Sequence, residues 1–332
     1  MTGAVLVEMK SNISYVDYSF CQWYPLFSKN VLEAVMLPLP QDVCKYLEHD
    51  AFLLPLEAIN KGNSCNSEWS DGSAIKDEEE EDSEEQPTFP EFSKQVQQVI
   101  EKFGSVFLKL NWSTPADATW VAATKSLKCN ALEDVYLLLK SSDRISQDLS
   151  MLRSINDKHC QIYPCLVLKK WRDIDPCTEF RCFVVNKELV GISQRDVSQY
   201  YKHIENDKYN IQKDIKSMFT ESIQSKFGPD DYSFDVIRYK KDKVKIVDFG
   251  PLNEAVTKNS LFTYEELHSE FVRQKEGEFR FISEDMGIQP KMTNHVCVPT
   301  EINEFFQGGI SIMDAIRKEV EEQRKEENCN CN

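Results

Sequence analysis

The stretch "YSFDVIRYKKDKVKIVDFGPLNEA", residues 232 to 255, carries two aspartates inside β-rich runs on either side of a polar turn. If Lys241 and Asp242 form a two-residue loop, Asp235 lies opposite Asp248 across the ladder. Two carboxylates with Cβ atoms roughly 5 Å apart repel each other unless one is protonated or a cation sits between them. A Mg²⁺ ion would meet that need, because carboxylates and phosphate oxygens are its usual ligands. The bland alternative is a register shift or turn that sends one aspartate to solvent.

Asp248-Phe249-Gly250 also matches the magnesium turn of a protein kinase, and the rest of the chain rejects that reading. There are eleven glycines but no G-x-G to cover phosphates, and no Walker A loop. "QRDVSQYY" places Tyr201 where a catalytic loop needs Asn, and no A-P-E follows.

Candidate phosphate-binding cations are Lys109 in "SVFLKLN" (105 to 111), Lys169 or Lys170 in "YPCLVLKKW" (163 to 171), and Arg181 and Arg195 in "EFRCFVVNKELVGISQR". Taken singly, each lysine is as well explained by snorkelling at a strand edge. Together with Glu179 and the two aspartates, however, they are charges in otherwise apolar strands, and such charges need partners. A sheet-borne triphosphate site would supply them.

The elements that would carry these residues alternate in type. Phe92, Val96, Val99, Ile100 and Phe103 repeat at helical spacing up to Gly104, where a C-terminal stop belongs. Leu132, Val135, Tyr136 and Leu139 mark a second helix, and Ile211 to Phe227 a long third one ended by Gly228-Pro229. Strands are expected at 105 to 111 and 163 to 171 and in a hairpin turning at Asn186-Lys187. Residues 1 to 60 suggest short strands and a helix near 41 to 49. The fold class is α/β or α+β.

Half of the formal net charge of −16 resides in "DEEEEDSEE", residues 77 to 85, inside a Gly-, Ser- and acid-rich stretch (61 to 88) too poor in apolar residues to fold. An acidic chain lacks the clustered Lys and Arg of a nucleic-acid binder, so no nucleic-acid partner is expected. The eleven cysteines are scattered and never form C-x-x-C, which predicts neither a disulfide framework nor a zinc ribbon. The start has no basic n-region and no run of 18 apolar residues occurs, so a cytoplasmic protein without membrane contact is expected. His159, Cys160 and Cys165 read as ordinary thiols and a lone His rather than a metal cluster. Thr263 and Glu266 form a capping box, and 312 to 328 reads as a charged helix. Nothing suggests a coiled coil, and a monomer is expected.

The stretches "FCQWYPLF" (20 to 27), "FLKLNWSTPADATW" (107 to 120), "LVLKKW" (166 to 171), "EFRCFV" (179 to 184), "GISQRD" (191 to 196) and "VDFGPLNE" (247 to 254), in that order, resemble the cell-division-cycle-123 protein family. The resemblance implies an ATP-grasp fold, with two β-rich lobes and flanking helices enclosing a nucleotide site. Residues 1 to 60 would complete one lobe, 61 to 88 form a disordered acidic loop, 89 to 290 hold the nucleotide-binding core, and 291 to 332 form an extension. It implies Mg²⁺ and ATP as ligands: Lys109 on the phosphates, Asn111, Trp112 and Ser113 lining the nucleotide pocket, and Lys169, Lys170 and Trp171 in the hinge that reads adenine. Glu179 joins the ATP site, Arg181 and Arg195 would hold phosphate or an acidic partner group, and Asp235 and Asp248 would ligate the metal. The family pattern has an Asn where Gly250 stands here, so Asn253 or water would substitute, or the metal would bind more weakly.

The same resemblance implies an ATP-binding assembly chaperone for eukaryotic translation initiation factor 2, engaging its gamma subunit. Read as residues, Trp23 and Tyr24 are candidate interface aromatics, with burial in the core as the favoured alternative. The competing expectation is an ATP-grasp ligase that joins a carboxylate to an amine, since fold does not settle function. It would need a second pocket beside the γ-phosphate with cations for an acid substrate.

Overall fold

The computed structural model describes residues 15–59, 86–156 and 162–284. The acidic stretch expected as a loop at 61 to 88, apart from residues 86–88, lies outside them, as do His159, Cys160 and the extension at 291 to 332 with its charged helix. No helix among the described residues is long and apolar enough to cross a membrane.

In chain order the elements are α1 (Phe20–Phe27), β1 (Ala34–Pro38), α2 (Gln41–Glu48), α3 (Pro90–Phe103), β2 (Val106–Lys109), α4 (Leu132–Lys140), α5 (Asp143–Asn156), β3 (Cys165–Lys170), β4 (Glu179–Val185), β5 (Glu188–Gln194), α6 (Lys202–Met218), β6 (Tyr232–Lys240), β7 (Lys243–Pro251), the short helices α7 (Glu254–Thr257), α8 (Tyr264–Leu267) and α9 (Glu270–Arg273), and β8 (Glu278–Arg280). The expected helix ending at Gly104 is α3, and Gly104 adopts φ +80°, the left-handed stop a glycine makes without a Cβ clash. Asn186 and Lys187, at φ 51° and 63°, turn β4 into β5.

Two sheets result, one with the order β1-β3-β2 and one with the order β7-β6-β4-β5-β8. Strand alternation gives the small sheet two different faces. Leu108, Leu166 and Leu168 join Val96, Val135, Tyr136 and Leu149 in a core under α3, α4 and α5. Cys165 and Val167 point the other way, into a core built by α1, α6 and one face of the large sheet. That second core is strongly aromatic: Phe249 lies 4.2 Å from Phe227 and 5.0 Å from Trp23 between ring centroids.

Two expectations need correction. Trp23 is only 1% exposed and belongs to this core, while Tyr24 is half-buried with its hydroxyl donating to the Ala34 carbonyl oxygen at 3.4 Å; Trp23 therefore presents no interface. A helix whose outer residues are Gln22 and Leu26 must send its aromatic positions inward. Cys21 and Cys165 form a disulfide joining α1 to β3, against the expectation of unpaired thiols. Partners 144 residues apart leave no trace in local spacing.

Candidate functional site

The hairpin of β6 and β7 sets the site. Lys240 pairs with Lys243 across the Lys241-Asp242 loop; one bulge then shifts the register by a residue, and a second shifts it back. Asp235 consequently stands opposite Asp248, as the loop length predicts. Arg181 on β4 pairs with Asp235 from the other side, so Arg181, Asp235 and Asp248 form one row across three strands. The row lies on the face turned away from Phe180, Phe234 and Phe249, the aromatic core positions of the same strands.

The chain itself supplies cations to separate the carboxylates. Arg181 grips both Asp235 oxygens at 2.8 Å, and Arg195 stands 3.4 Å away. Burial works to raise the Asp235 carboxyl, but the two guanidiniums outweigh it and hold it below the ordinary carboxylate range. From β2 of the small sheet, Lys109 donates to Asp248 Oδ2 on β7 at 2.6 Å. Asp248 Oδ1 is buried and, among the described residues, has no hydrogen-bond partner.

Lys109 and Lys169 share one side of the small sheet, where Phe107 pairs with Lys169 and Lys109 with Val167. Both ammonium groups sit over the Phe20 ring, at 5.6 and 4.8 Å from its centroid. Lys169 donates to the Val247 carbonyl oxygen at 2.9 Å. Burial, reinforced by the Lys109 charge and only partly offset by Asp248, pushes the Lys169 ammonium down to about 7.

Three cavities run into one another here. The middle one, about 530 Å³, is lined by Lys109, Trp112, Ser113, Lys169, Glu179, Arg181, Arg195, Asp235 and Asp248. A second, of about 370 Å³ and mostly apolar walls, shares Phe107, Lys169, Glu179 and Val247 with it and adds Lys170, Trp171 and Leu32. A third, of about 390 Å³, lies beyond the carboxylates, sharing Trp112, Ser113, Arg181, Asp235 and Asp248 and adding Gly250, Tyr18 and Asn253.

Asn111 stands apart from these residues. It is fully buried, its amide nitrogen donating to Ser19 Oγ and the Tyr163 carbonyl oxygen and its Oδ1 accepting from the Cys165 amide, so its side chain ties three segments together behind the cleft and lines none of the three cavities. Asn253, the expected substitute for a ligand at position 250, is occupied as the N-cap of α7, its Oδ1 accepting from the Val256 amide. Sequence reasoning also missed Asp148. From α5 its buried Oδ2 accepts both the Trp112 and Ser113 amides, at 3.0 and 2.8 Å, and thereby shapes the loop that enters the cleft. Burial raises its carboxyl, with the two amides working against that. Its three-residue offset from Ile145 on an apolar helix face was the available signal.

The residues fit a magnesium nucleotide. Among the described residues no group of three or more His, Cys, Asp or Glu side chains could hold a metal alone. Asp235 and Asp248 offer a carboxylate pair with one orphaned oxygen, the partial set that Mg²⁺ completes with phosphate oxygens and water.

A family model described as D123 matches residues 23–306. The chain belongs to the D123 family. Among D123 relatives, a translation initiation factor eIF2 assembly protein of Xenopus tropicalis is 39% identical over 291 residues, covering 83% of this chain and 86% of its own. The protein of the same name from Dictyostelium discoideum is 33% identical over 359 residues, covering 88% and 93%. The solved structure of Cdc123 from Schizosaccharomyces pombe superposes with a TM-score of 0.64 at 30% identity, covering 81% of this chain and 96% of that one.

Proposed function

We propose that this D123-family chain binds Mg²⁺-ATP in the cleft and acts as an ATP-binding assembly factor for translation initiation factor eIF2, engaging the gamma subunit. The observation that carries the nucleotide part is the row Arg181, Asp235, Asp248 with Lys109 against it, lining a cavity of about 530 Å³ and leaving one buried carboxylate oxygen unpaired. The eIF2 part rests on the family and on its similarity to eIF2 assembly proteins.

In this reading the apolar cavity beside Lys170 and Trp171 takes the base, and the middle cavity takes the phosphates. Bound magnesium would neutralise phosphate charge, held by Asp235 and Asp248. Lys109 is then the residue that changes partner: it neutralises Asp248 in the structure and would turn to a phosphate once that carboxylate is taken by the metal. Arg181 keeps Asp235 ionised and aimed by its two-point grip.

The test is calorimetric titration of Mg²⁺-ATP into the wild-type chain and into Asp235→Ala, followed by co-purification with the eIF2 gamma subunit with and without nucleotide. Wild-type binding in the micromolar range, lost in the variant, together with capture of the gamma subunit, is the expected result. A folded wild-type chain that binds no nucleotide would sink the ATP reading, and failure to capture the gamma subunit would sink the client.

The cavity of about 390 Å³ beyond the carboxylates supports a second reading, a ligase that phosphorylates an acid seated there. ATP turnover on addition of an acid and an amine, with no client protein present, separates the two.

A further inference from the structure

We propose that Arg144, on α5, contacts the terminal phosphate of the bound nucleotide from across the cleft and makes the site prefer a triphosphate to a diphosphate. This rests on the nucleotide reading above and adds a residue to it.

Position comes first. Arg144 lines the middle cavity and the one beyond the carboxylates but not the apolar cavity beside Trp171. The apolar and far cavities share no lining residue, so the three lie in sequence and Arg144 stands at the end remote from the base. A nucleotide laid along that path brings its last phosphate, and not its sugar, towards the guanidinium.

Charge comes second. Lys109 is committed to Asp248, Arg181 and Arg195 to Asp235, and Lys169 to a backbone carbonyl oxygen. Arg144 is exposed, and among the described residues its guanidinium forms no ion pair and no hydrogen bond. Among the described residues it is the uncommitted cation of the middle and far cavities, and a guanidinium suits the non-bridging oxygens of a terminal phosphate.

Orientation comes third. The Arg144 amide donates to Asp117 Oδ2 at 3.2 Å, and the same buried carboxylate accepts the Ser142 hydroxyl at 2.6 Å. Asp148, four residues on and therefore on the same face of α5, holds the Trp112-Ser113 loop that lines both cavities. The helix face that shapes the phosphate end thus also delivers Arg144, from a backbone already fixed.

The experiment titrates Mg²⁺-ATP and Mg²⁺-ADP separately into the full chain as wild type, Arg144→Ala and Arg144→Lys, with thermal melting run alongside. The expected result is ATP affinity weakened about tenfold in Arg144→Ala, ADP affinity unchanged within twofold, an intermediate loss in Arg144→Lys, and equal melting temperatures. If wild type binds both nucleotides and Arg144→Ala leaves the ATP-to-ADP ratio unaltered, Arg144 is not a terminal-phosphate residue, although the nucleotide site stands. If wild type binds neither nucleotide, the site reading itself falls and takes this assignment with it.

Discussion

The Lys109 ammonium lies 2.6 Å from Asp248 Oδ2, and the lysine is 1% exposed while its partner is 30% exposed. The asymmetry decides what each substitution does. Asp248→Ala strands a buried positive charge and is expected to cost about 3 kcal/mol of stability. Lys109→Met strands a carboxylate on a side chain that is partly exposed and costs less. The double variant should therefore lose less than the two single losses added together, by about 1–2 kcal/mol, in urea unfolding. Strict additivity would show that the pair does not hold in solution.

Lys169 makes nucleotide binding sensitive to pH. In the free protein its ammonium titrates near 7, and a bound polyphosphate would raise that value. Between about 7 and the raised value the complex holds a proton that the free protein lacks. Affinity for Mg²⁺-ATP should then fall as pH rises above about 7, with proton uptake measurable by titration at pH 8 in buffers of different ionisation heat. Below about 7 both states are protonated and this group contributes no pH dependence. Lys169→Met should abolish the uptake.

Gly250 can be tested by addition. A Cβ placed there meets Ser233 Oγ at 3.5 Å, an ordinary contact, so a side chain is tolerated. Gly250→Asn would restore the ligand that the family resemblance implies. The magnesium concentration needed for half-maximal ATP binding should drop several-fold with little change in melting temperature. An unchanged requirement would mean that position 250 lies outside the metal's reach.

The Cys21–Cys165 disulfide closes a span of 144 residues. Loop-closure entropy sets its stabilisation at about 5 kcal/mol at most. Thiol counting on denatured, unreduced protein should find two fewer reactive groups than on reduced protein, and reduction or Cys21→Ser should lower the melting temperature. Equal thiol counts would refute the bond.

What the sequence showed and what it hid divide along a physical line. The Asp235–Asp248 pairing was legible because a two-residue loop fixes register locally, and the two bulges between them happen to cancel. The end of α3 at Gly104 and the Asn186-Lys187 turn were legible for the same reason: left-handed backbone has few residue solutions. The Cys21–Cys165 bond and the use of Asn111 as a clamp are decided by segments that meet only in three dimensions. α5 was hidden too, since its apolar positions Ile145, Leu149 and Leu152 alternate with charges that serve the cleft and its supports. Among the site residues, those on regular strands could be placed by alternation, whereas Arg144 and Asp148 could not.

Strand β7 has a further consequence. Asp248 faces the cleft and the next residue, Phe249, faces the aromatic core, where its ring stands 5.0 Å from the indole of Trp23. A strand is stiff over two residues, so a shift of the Asp248 backbone is transmitted to that ring contact. Trp23 is then placed to register what happens at the carboxylate from behind the sheet, while Trp112 and Trp171 register it from the cleft walls, so the indole emission of the unlabelled protein carries a signal from both sides of the strand.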